Sequence, residues 1–385
     1  MADMTYAPIP KWRNILAALI NPPLPENIIN DTWASNNERS YWFSRTSWSM
    51  YAIVKFRLSV NHSSQVNVWL PDYFCNESTV AIRSLGVKLS FYPILSDGKP
   101  DLEVCNKMLD NLLPDIILYV NYFGESFFSK GLSDIALKTN AWLIEDSAHC
   151  LKPQKDIGGH GDFVIYSPHK LLAIPDGGLL VIRPNGPSKI TNDFLDEFAF
   201  DSLYNSIINI RKPSNLFSYK WLFKRIIQKF GLHFFRKKNK FKLNSYSIGI
   251  ESLPHPKMSW LARKLLSNFS DLEKEALHRK NIQQQWKGRL TNNKIFEREN
   301  IGISKIYHIP YMAKIISNDC IGAEKIFDLL QQTNIPASLW PDLPPEVLYN
   351  PDAHKIAIEM STSCIFLPVH SSINEKMLTV IFRGM

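Results

Sequence analysis

One stretch of the sequence places side chains that could do chemistry at the ends of apolar runs. Asp146 follows the apolar residues 141–144, and Lys170 lies between the apolar residues 163–166 and a Pro-Asp-Gly-Gly turn at 175–178. An apolar run that stops at charged residues predicts a buried strand whose carboxyl end opens into a site. The lysine and the aspartate are therefore predicted near one edge of a sheet.

This pairing matches what pyridoxal phosphate requires of a protein. A lysine amine condenses with the aldehyde of the cofactor, and a carboxylate keeps the pyridine nitrogen protonated so that the ring accepts electrons. Asp146 has an alternative interpretation as a helix cap, and Lys170 has one as a surface lysine. Burial between two strands and a glycine turn favours the catalytic interpretation of Lys170.

The surrounding elements predict an α/β fold. Residues 66–70, 88–92 and 116–120 are predicted as strands, and helices are predicted at 101–112 and near 131–139. Strands that alternate with helices predict parallel strands joined by right-handed crossovers.

A cluster of hydroxyl groups opens a further predicted helix. Ser44, Thr46, Ser47 and Ser49 precede the apolar residues 51–56. Small hydroxylated residues are favourable caps, and the N–H groups at a helix start suit an anion. Such clusters are most often structural, but this one also fits a phosphate.

These residues carry a resemblance to a known family. Residues 144–149 (Ile-Glu-Asp-Ser-Ala-His), 161–163, 167–170 and 177–178 resemble the DegT-type (DegT/StrS) nucleotide-sugar aminotransferases, which are fold-type I pyridoxal-phosphate enzymes. The similarity extends, more weakly, from about residue 40 to the C-terminus. It implies a large domain with a mostly parallel central sheet, a small C-terminal α+β domain and a homodimer.

The resemblance also implies roles for individual residues. Lys170 would be the catalytic lysine, Asp146 would pair with the pyridine nitrogen, and His149 would lie beside the ring. Either Tyr73 or Phe74 would stack on the face of the ring.

The phosphate of the cofactor would be held by Thr46, Ser47 and Ser167. Two departures from the family pattern fall here. The family serine lies five residues before the lysine, whereas Ser167 lies three before it, and Arg45 replaces a glycine. A third departure is that only Met258 matches the run that family members contribute to the neighbouring subunit.

The domain organisation is predicted in three parts. Residues 1–40 form a lead-in, residues 41–255 a large cofactor domain with a basic aromatic insertion at about 211–250, and residues 256–385 a bridging helix with a small domain. The bridging helix is predicted to run from Trp260 to about residue 286.

Composition indicates an ordinary globular protein in the cytoplasm. Of the 385 residues 45% are hydrophobic and 21% are charged. Five cysteines without paired spacing argue against a disulfide framework and a metal site. The N-terminus lacks the profile of a signal peptide, and no apolar run reaches the roughly 18 residues of a membrane span.

The net charge of +8 is concentrated in the insertion. Residues 211–250 hold eleven Lys or Arg and no Asp or Glu, so the rest of the chain has a net charge of −3. The stretch 215–243 has three interpretations: a solvated helix over the core, a peripheral contact with an anionic membrane, or an attractor for a pyrophosphate-bearing substrate. Nucleic-acid binding is disfavoured, because no recognised module accompanies the charge.

The predicted function is transfer of an amino group from an amino acid, glutamate by resemblance, to a nucleotide-linked keto-sugar in the biosynthesis of a surface polysaccharide or glycan. A decarboxylase, dehydratase or racemase that uses the same cofactor is an alternative, as is a non-catalytic scaffold. Lys170 argues against the family dehydratases, which carry a histidine at this position.

Overall fold

The computed structural model describes residues 4–60, 65–188, 197–231, 253–269, 271–291, 302–303 and 308–383. Within these ranges the chain forms one seven-stranded sheet and one three-stranded sheet, with helices packed against both. The α/β architecture predicted from the sequence is confirmed.

The seven-stranded sheet is parallel over most of its width. Its strands, in spatial order, are β1 (Arg39–Phe43), β7 (Gly178–Ile182), β6 (Phe163–Tyr166), β5 (Trp142–Ser147), β4 (Ile116–Val120), β2 (Asn67–Pro71) and β3 (Lys88–Tyr92). The five strands from β6 to β3 run parallel, while β7 is antiparallel to both of its neighbours. The predicted parallel core is therefore closed on one side by an antiparallel pair.

Both faces of this sheet are buried, which explains its near-continuous apolar strands. Phe163, Ile165 and Ile182 pack on one face with helix α3 (Thr46–Val60). Val164 and Val181 pack on the opposite face, with helix α10 (Trp260–Ser267). The two sets alternate along each strand, so the sheet is the middle layer of three.

The remaining helices connect and cover the strands. They are α1 (Trp12–Ile20), α2 (Glu26–Asn30), α4 (Asn76–Arg83), α5 (Leu102–Met108), α6 (Lys130–Thr139), α7 (Pro168–Leu171), α8 (Glu197–Ile208), α9 (Asn215–Lys229), α11 (Leu272–Thr291), α12 (Cys320–Gln332), α13 (Pro345–Tyr349), α14 (Lys355–Ser363) and α15 (Glu375–Arg383). None of the helices in the described ranges is both long and apolar enough to cross a bilayer.

The predicted bridging helix from Trp260 is interrupted. Helix α10 ends at Ser267, and α11 begins at Leu272. The Asp271 carboxylate accepts a hydrogen bond from the Lys274 N–H at 2.9 Å and so caps a new helix. One amphipathic segment is therefore two helices.

The C-terminal sheet is antiparallel, in the order β10 (Cys364–Pro368), β9 (Met312–Ile316) and β8 (Gly302–Ile303). A separate apolar cluster packs beneath it with α12 and α15. Residues 308–310, which precede β9, are not strand. The strand in this region is β9.

Candidate active site

A cavity of about 900 Å³ opens at the carboxyl ends of the parallel strands. Helix α7 follows β6 directly, and its Lys170 lines the cavity together with His149, which follows β5. Because β5 and β6 are parallel neighbours, their carboxyl ends meet at one edge. The pairing of these strands therefore brings Lys170 and His149, which are 21 positions apart in sequence, to the same edge.

His149 holds the amine of Lys170. The distance from Lys170 Nζ to His149 Nε2 is 3.3 Å. The Phe123 N–H points at His149 Nδ1 at 3.4 Å, so the neutral ring carries its proton on Nε2, the atom that faces the lysine.

Burial keeps the His149 ring neutral. It lowers the pKa of His149 well below its usual value, and the neighbouring Lys170 lowers that pKa further. The ring is stacked with Tyr311, at 4.5 Å between centroids and 8° between planes, and with Phe123 at 5.6 Å. His149 thus turns its Nε2 edge toward the lysine.

The turn that carries Phe123 is strained. Phe123 has a φ of 57° and Gly124 a φ of 91°. A Cβ atom on Gly124 would lie 2.1 Å from the Ile309 carbonyl oxygen, so only glycine fits there. Left-handed backbone at a non-glycine residue is found where the surrounding structure enforces it, often at functional sites.

Asp146 ends β5 behind the lysine. It is 8% exposed and does not line the open cavity, but its carboxylate is near enough for Lys170 to lower its pKa. Burial is the larger effect and raises the pKa of Asp146 above its usual value, while the Ala148 N–H, which donates to Oδ1 at 2.9 Å, lowers it. No described residue donates a hydrogen bond to Oδ2, so this buried oxygen is available to a ligand N–H.

The hydroxyl-bearing residues predicted to hold a phosphate belong to the wall of the same cavity. Thr46 and Ser47 form the first turn of α3 and line the cavity. Neither hydroxyl is engaged by another described residue, and the first N–H groups of a helix have no intrahelical acceptor. A Cβ atom on Gly178 would lie 2.5 Å from the Thr46 nitrogen, so a glycine is needed for β7 to pass this turn.

Ser167 is buried and its oxygen accepts a hydrogen bond. His169 Nδ1 lies 2.9 Å from the Gly177 carbonyl oxygen and 3.0 Å from Ser167 Oγ. A carbonyl oxygen only accepts, so Nδ1 carries the proton that both oxygens share. The hydroxyl proton of Ser167 then remains available to an anion in the cavity.

Arg45 adds a cation to the same end of the cavity. Its guanidinium donates to the Ser44 carbonyl at 3.0 Å and to the Pro175 carbonyl at 3.4 Å. Burial lowers the pKa of Arg45, while the nearby Asp176 and Glu77 carboxylates raise it. Among the described residues the guanidinium donates hydrogen bonds to carbonyl oxygens only, and a planar guanidinium is suited to bind a phosphate.

The aromatic rings expected to stack on the cofactor do not line the cavity. Tyr73 is fully buried and stacks on Trp340 at 4.1 Å, and Phe74 is 3% exposed in the core. Cys75 occupies the wall instead, with Sγ donating to Asp342 Oδ1 at 3.2 Å. Burial raises the pKa of Cys75 to about 12, so its thiol stays protonated.

An aromatic wall that the sequence did not reveal closes the other side of the cavity. It consists of Tyr311, Trp340 and Phe366, which come from three separate C-terminal segments, and Phe123 packs against it. The buried Trp340 Nε1 has no hydrogen-bond partner among the described residues. Its position in a loop beside Pro341 carried no signal that would have marked it as part of a site.

Arg279 of α11 connects the lysine turn to this wall. Its guanidinium donates to the Leu171 carbonyl at 2.5 Å and to the carbonyls of Pro310 and Tyr311 at 3.3 and 3.1 Å. Its Nε forms a buried ion pair with Glu275 at 2.8 Å. Arg279 is thus a positioning residue for both sides of the cavity.

The fold and this site define a class of protein. A mostly parallel seven-stranded sheet with a lysine after one strand, and an aspartate at the end of its neighbour, is the arrangement of fold-type I pyridoxal-phosphate enzymes.

One family model matches part of the chain. The model of the DegT/DnrJ/EryC1/StrS aminotransferase family matches residues 81–192, which confirms the resemblance seen in the sequence. A search of curated proteins finds no match.

Solved structures of this family share the fold over nearly the whole chain. Helicobacter pylori PseC, an aminotransferase involved in the biosynthesis of pseudoaminic acid, is 15% identical, with a TM-score of 0.66 over 99% of this chain and 98% of that one. The putative sugar aminotransferase Spr1654 from Streptococcus pneumoniae in its PLP-form is 12% identical, with a TM-score of 0.69 over 99% and 97%. DesI, solved with its TDP-sugar product, is 11% identical, with a TM-score of 0.62 over 100% and 92%. At these identities the likeness establishes the fold.

Proposed function

We propose that this chain is a pyridoxal-phosphate-dependent aminotransferase that acts on a nucleotide-linked keto-sugar. The observation that carries the proposal is that Lys170 and the buried Asp146 lie close together at one sheet edge, and that hydroxyl groups and a guanidinium line the same cavity as Lys170. The family match and the sugar aminotransferases among the solved structures support the choice of reaction.

The residues present fit the proposed cofactor. Pyridoxal phosphate, when bound, supplies an aldehyde and a ring that accepts electrons. The unsatisfied Asp146 Oδ2 would accept the ring N–H in a charge-assisted hydrogen bond, and Thr46, Ser47, Ser167 and Arg45 would hold the phosphate. Because Gly178 has no side chain, β7 passes close to the first turn of α3 without displacing Thr46 and Ser47 from the cavity wall.

Each of these residues would then have a defined role in the reaction. Lys170 Nζ would bond to the aldehyde carbon and, once released by the amino donor, would take the proton from the donor's α-carbon. His149 Nε2 would hold the lysine amine in place, and Asp146 would keep the ring nitrogen protonated. Over a full cycle the donor's amino group and the acceptor's carbonyl oxygen change places.

The proposal includes the predicted organisation and setting of the protein. We retain the division into residues 1–40, 41–255 and 256–385, a homodimer, a cytoplasmic location and a role in surface polysaccharide or glycan biosynthesis. A peripheral membrane contact through 215–243 belongs to the same proposal, and residues 215–231 of that stretch are described.

Absorbance spectroscopy tests the proposal directly. Purified protein with added pyridoxal phosphate should absorb at about 420 nm, the region expected when a lysine is bonded to this cofactor. Glutamate should remove the band, and a keto-sugar nucleotide should restore it while gaining an amino group, detected by mass spectrometry. The Asp146→Asn variant should keep the band but react with glutamate roughly 100-fold more slowly.

Each failure has a distinct meaning. Protein that stays colourless with cofactor would support the scaffold alternative. A band that glutamate and other amino donors leave unchanged, with loss of carbon dioxide or water from an amino acid instead, would replace amino transfer by another reaction of the same cofactor.

A further inference from the structure

Helix α9 exposes an apolar stripe that no described residue covers. Leu216, Tyr219, Phe223 and Phe230 recur at helical spacing, and each is between 55% and 67% exposed. A neighbouring side of the helix, with Ser218 and Leu222, packs toward the core. Leu222 and Phe223 are adjacent in sequence, and the structure places the first in the core and the second in solvent.

Helix α1 extends the stripe into a continuous surface. Trp12, Leu16, Leu19 and Ile20 are between 43% and 78% exposed on α1. The Trp12 ring lies 5.7 Å from the Phe230 ring, so the two helices meet edge to edge. We name these eight side chains of α1 and α9 the α1–α9 face. Isolated exposed apolar residues are ordinary, but a contiguous set of this size marks an interaction surface.

The charged side chains of α1 and α9 are all positive. Lys11 precedes α1 and Arg13 lies in its first turn, while Lys220 and Lys224 are exposed beside Phe223. Lys229 Nζ lies 5.3 Å from the Trp12 ring centroid and donates to the Pro10 carbonyl, where burial lowers its pKa. Neither helix contains an acidic residue.

The exposed apolar side chains and the positive charges together indicate what binds the α1–α9 face. A two-fold interface brings the same patch of two copies together, and a surface whose charges are all positive is not complementary to itself. Buried residues of α1 and α9 pack on the sheet face that carries Val164 and Val181, whereas α3, which lines the cavity, packs on the opposite one. Aromatic and leucine side chains beside lysines are the composition of helices that lie in an anionic lipid interface.

We propose that the α1–α9 face docks on a bilayer that contains anionic phospholipid. Lys220, Lys224 and their neighbours on α1 contact the headgroups, while Trp12, Phe223 and Phe230 enter the boundary between headgroups and acyl chains. No residue of α1 or α9 lines the cavity, so the cavity remains open to the aqueous phase. This inference is independent of the proposed reaction, because no residue of the cavity takes part.

Vesicle sedimentation with the full chain tests the proposal. Wild-type protein should bind vesicles of phosphatidylcholine with about one third phosphatidylglycerol, bind pure phosphatidylcholine at least tenfold less, and lose most binding near 1 M salt. The Lys220→Glu/Lys224→Glu variant should bind the anionic vesicles at least tenfold less. Phe223→Ser should weaken binding several-fold while leaving its salt dependence unchanged.

Helix α6 supplies matched controls. Lys130→Glu/Lys138→Glu reverses two exposed charges there, and Leu137→Ser removes a leucine that is 53% exposed. Both should bind vesicles as the wild type does. The absorbance of the cofactor complex should be the same in all variants, which separates this test from that of the reaction.

Three outcomes would overturn the proposal. They are no binding of wild type to anionic vesicles at low salt, equal binding to both vesicle types, and equal weakening by the α6 controls. Light scattering in which Phe223→Ser alone dissociates an oligomer would also overturn it, since the α1–α9 face would then lie between copies of the chain.

Discussion

The two sides of the cavity differ in origin and in what holds them. On the cofactor side, Lys170 and His149 follow neighbouring strands, and Thr46 begins the helix that packs on the same sheet. On the aromatic side, Tyr311, Trp340 and Phe366 come from three segments that share no sheet register with the cofactor side. Stacked rings and the carbonyl contacts of Arg279 hold them.

This difference suggests separate tasks: the cofactor side serves the chemistry, and the aromatic side serves the choice of substrate. The cofactor side carries the charged and hydroxyl groups, which suit an invariant ligand. The aromatic side is apolar except for groups such as the unpartnered Trp340 Nε1, and such surfaces distinguish ligands by shape and a few hydrogen bonds. Variants of the two sides should therefore affect different measurements.

Removing the lysine should have the largest effect. Lys170→Ala should abolish the band at about 420 nm and reduce amino transfer by at least roughly 10⁴-fold, because bond formation and proton transfer both need the amine. Lys138→Ala, at an exposed position on α6, is the control and should be indistinguishable from wild type. A Lys170→Ala protein that keeps the band would remove the basis of the cofactor side.

Breaking the link between the two sides should have the next largest effect. Arg279→Met should lower the free energy of unfolding by about 3–5 kcal/mol in urea titration, because it leaves Glu275 buried without its partner. Glu275→Leu/Arg279→Met should recover much of that stability. It should still bind pyridoxal phosphate more weakly, since the contact to the Leu171 carbonyl is lost. Full recovery of affinity in the double variant would show that Arg279 positions neither side.

Arg45 tests the phosphate end of the cofactor side. A hydrogen bond to a charged group contributes about 1.5–3 kcal/mol, so Arg45→Ala should weaken pyridoxal phosphate binding by at least tenfold in fluorescence titration. Pyridoxal, which lacks the phosphate, should bind both proteins alike. Arg45→Lys should recover part of the affinity. Equal losses for the two ligands would mean that Arg45 acts on the fold of the site rather than on the phosphate.

The smallest effect should come from the aromatic side. Trp340→Phe keeps the stacking with Tyr73 but removes the indole N–H, so the KM for the sugar nucleotide should rise several-fold. The half-reaction with glutamate and the affinity for the cofactor should stay unchanged. An equal effect on both half-reactions would erase the distinction between the two sides.

The sequence by itself determined the parts of this protein that repeat a local pattern. The strands predicted at 88–92, 116–120 and 163–166 have those bounds in the structure, and placing Asp146 and Lys170 at strand ends predicted that they share a sheet edge. Such predictions succeed because strand periodicity, buried apolar runs and parallel pairing are short-range rules.

Only the tertiary structure decided which rings line the cavity and which face solvent. Tyr73 and Phe74 looked suited to the cavity, but packing buries them and leaves Cys75 at the wall, while Trp340 arrives from far along the chain. Phe223 is a second example, because it follows the buried Leu222 directly in sequence and yet faces solvent. An apolar side chain fits a core, a ligand and a lipid surface equally well, so its place depends on the elements that happen to cover it.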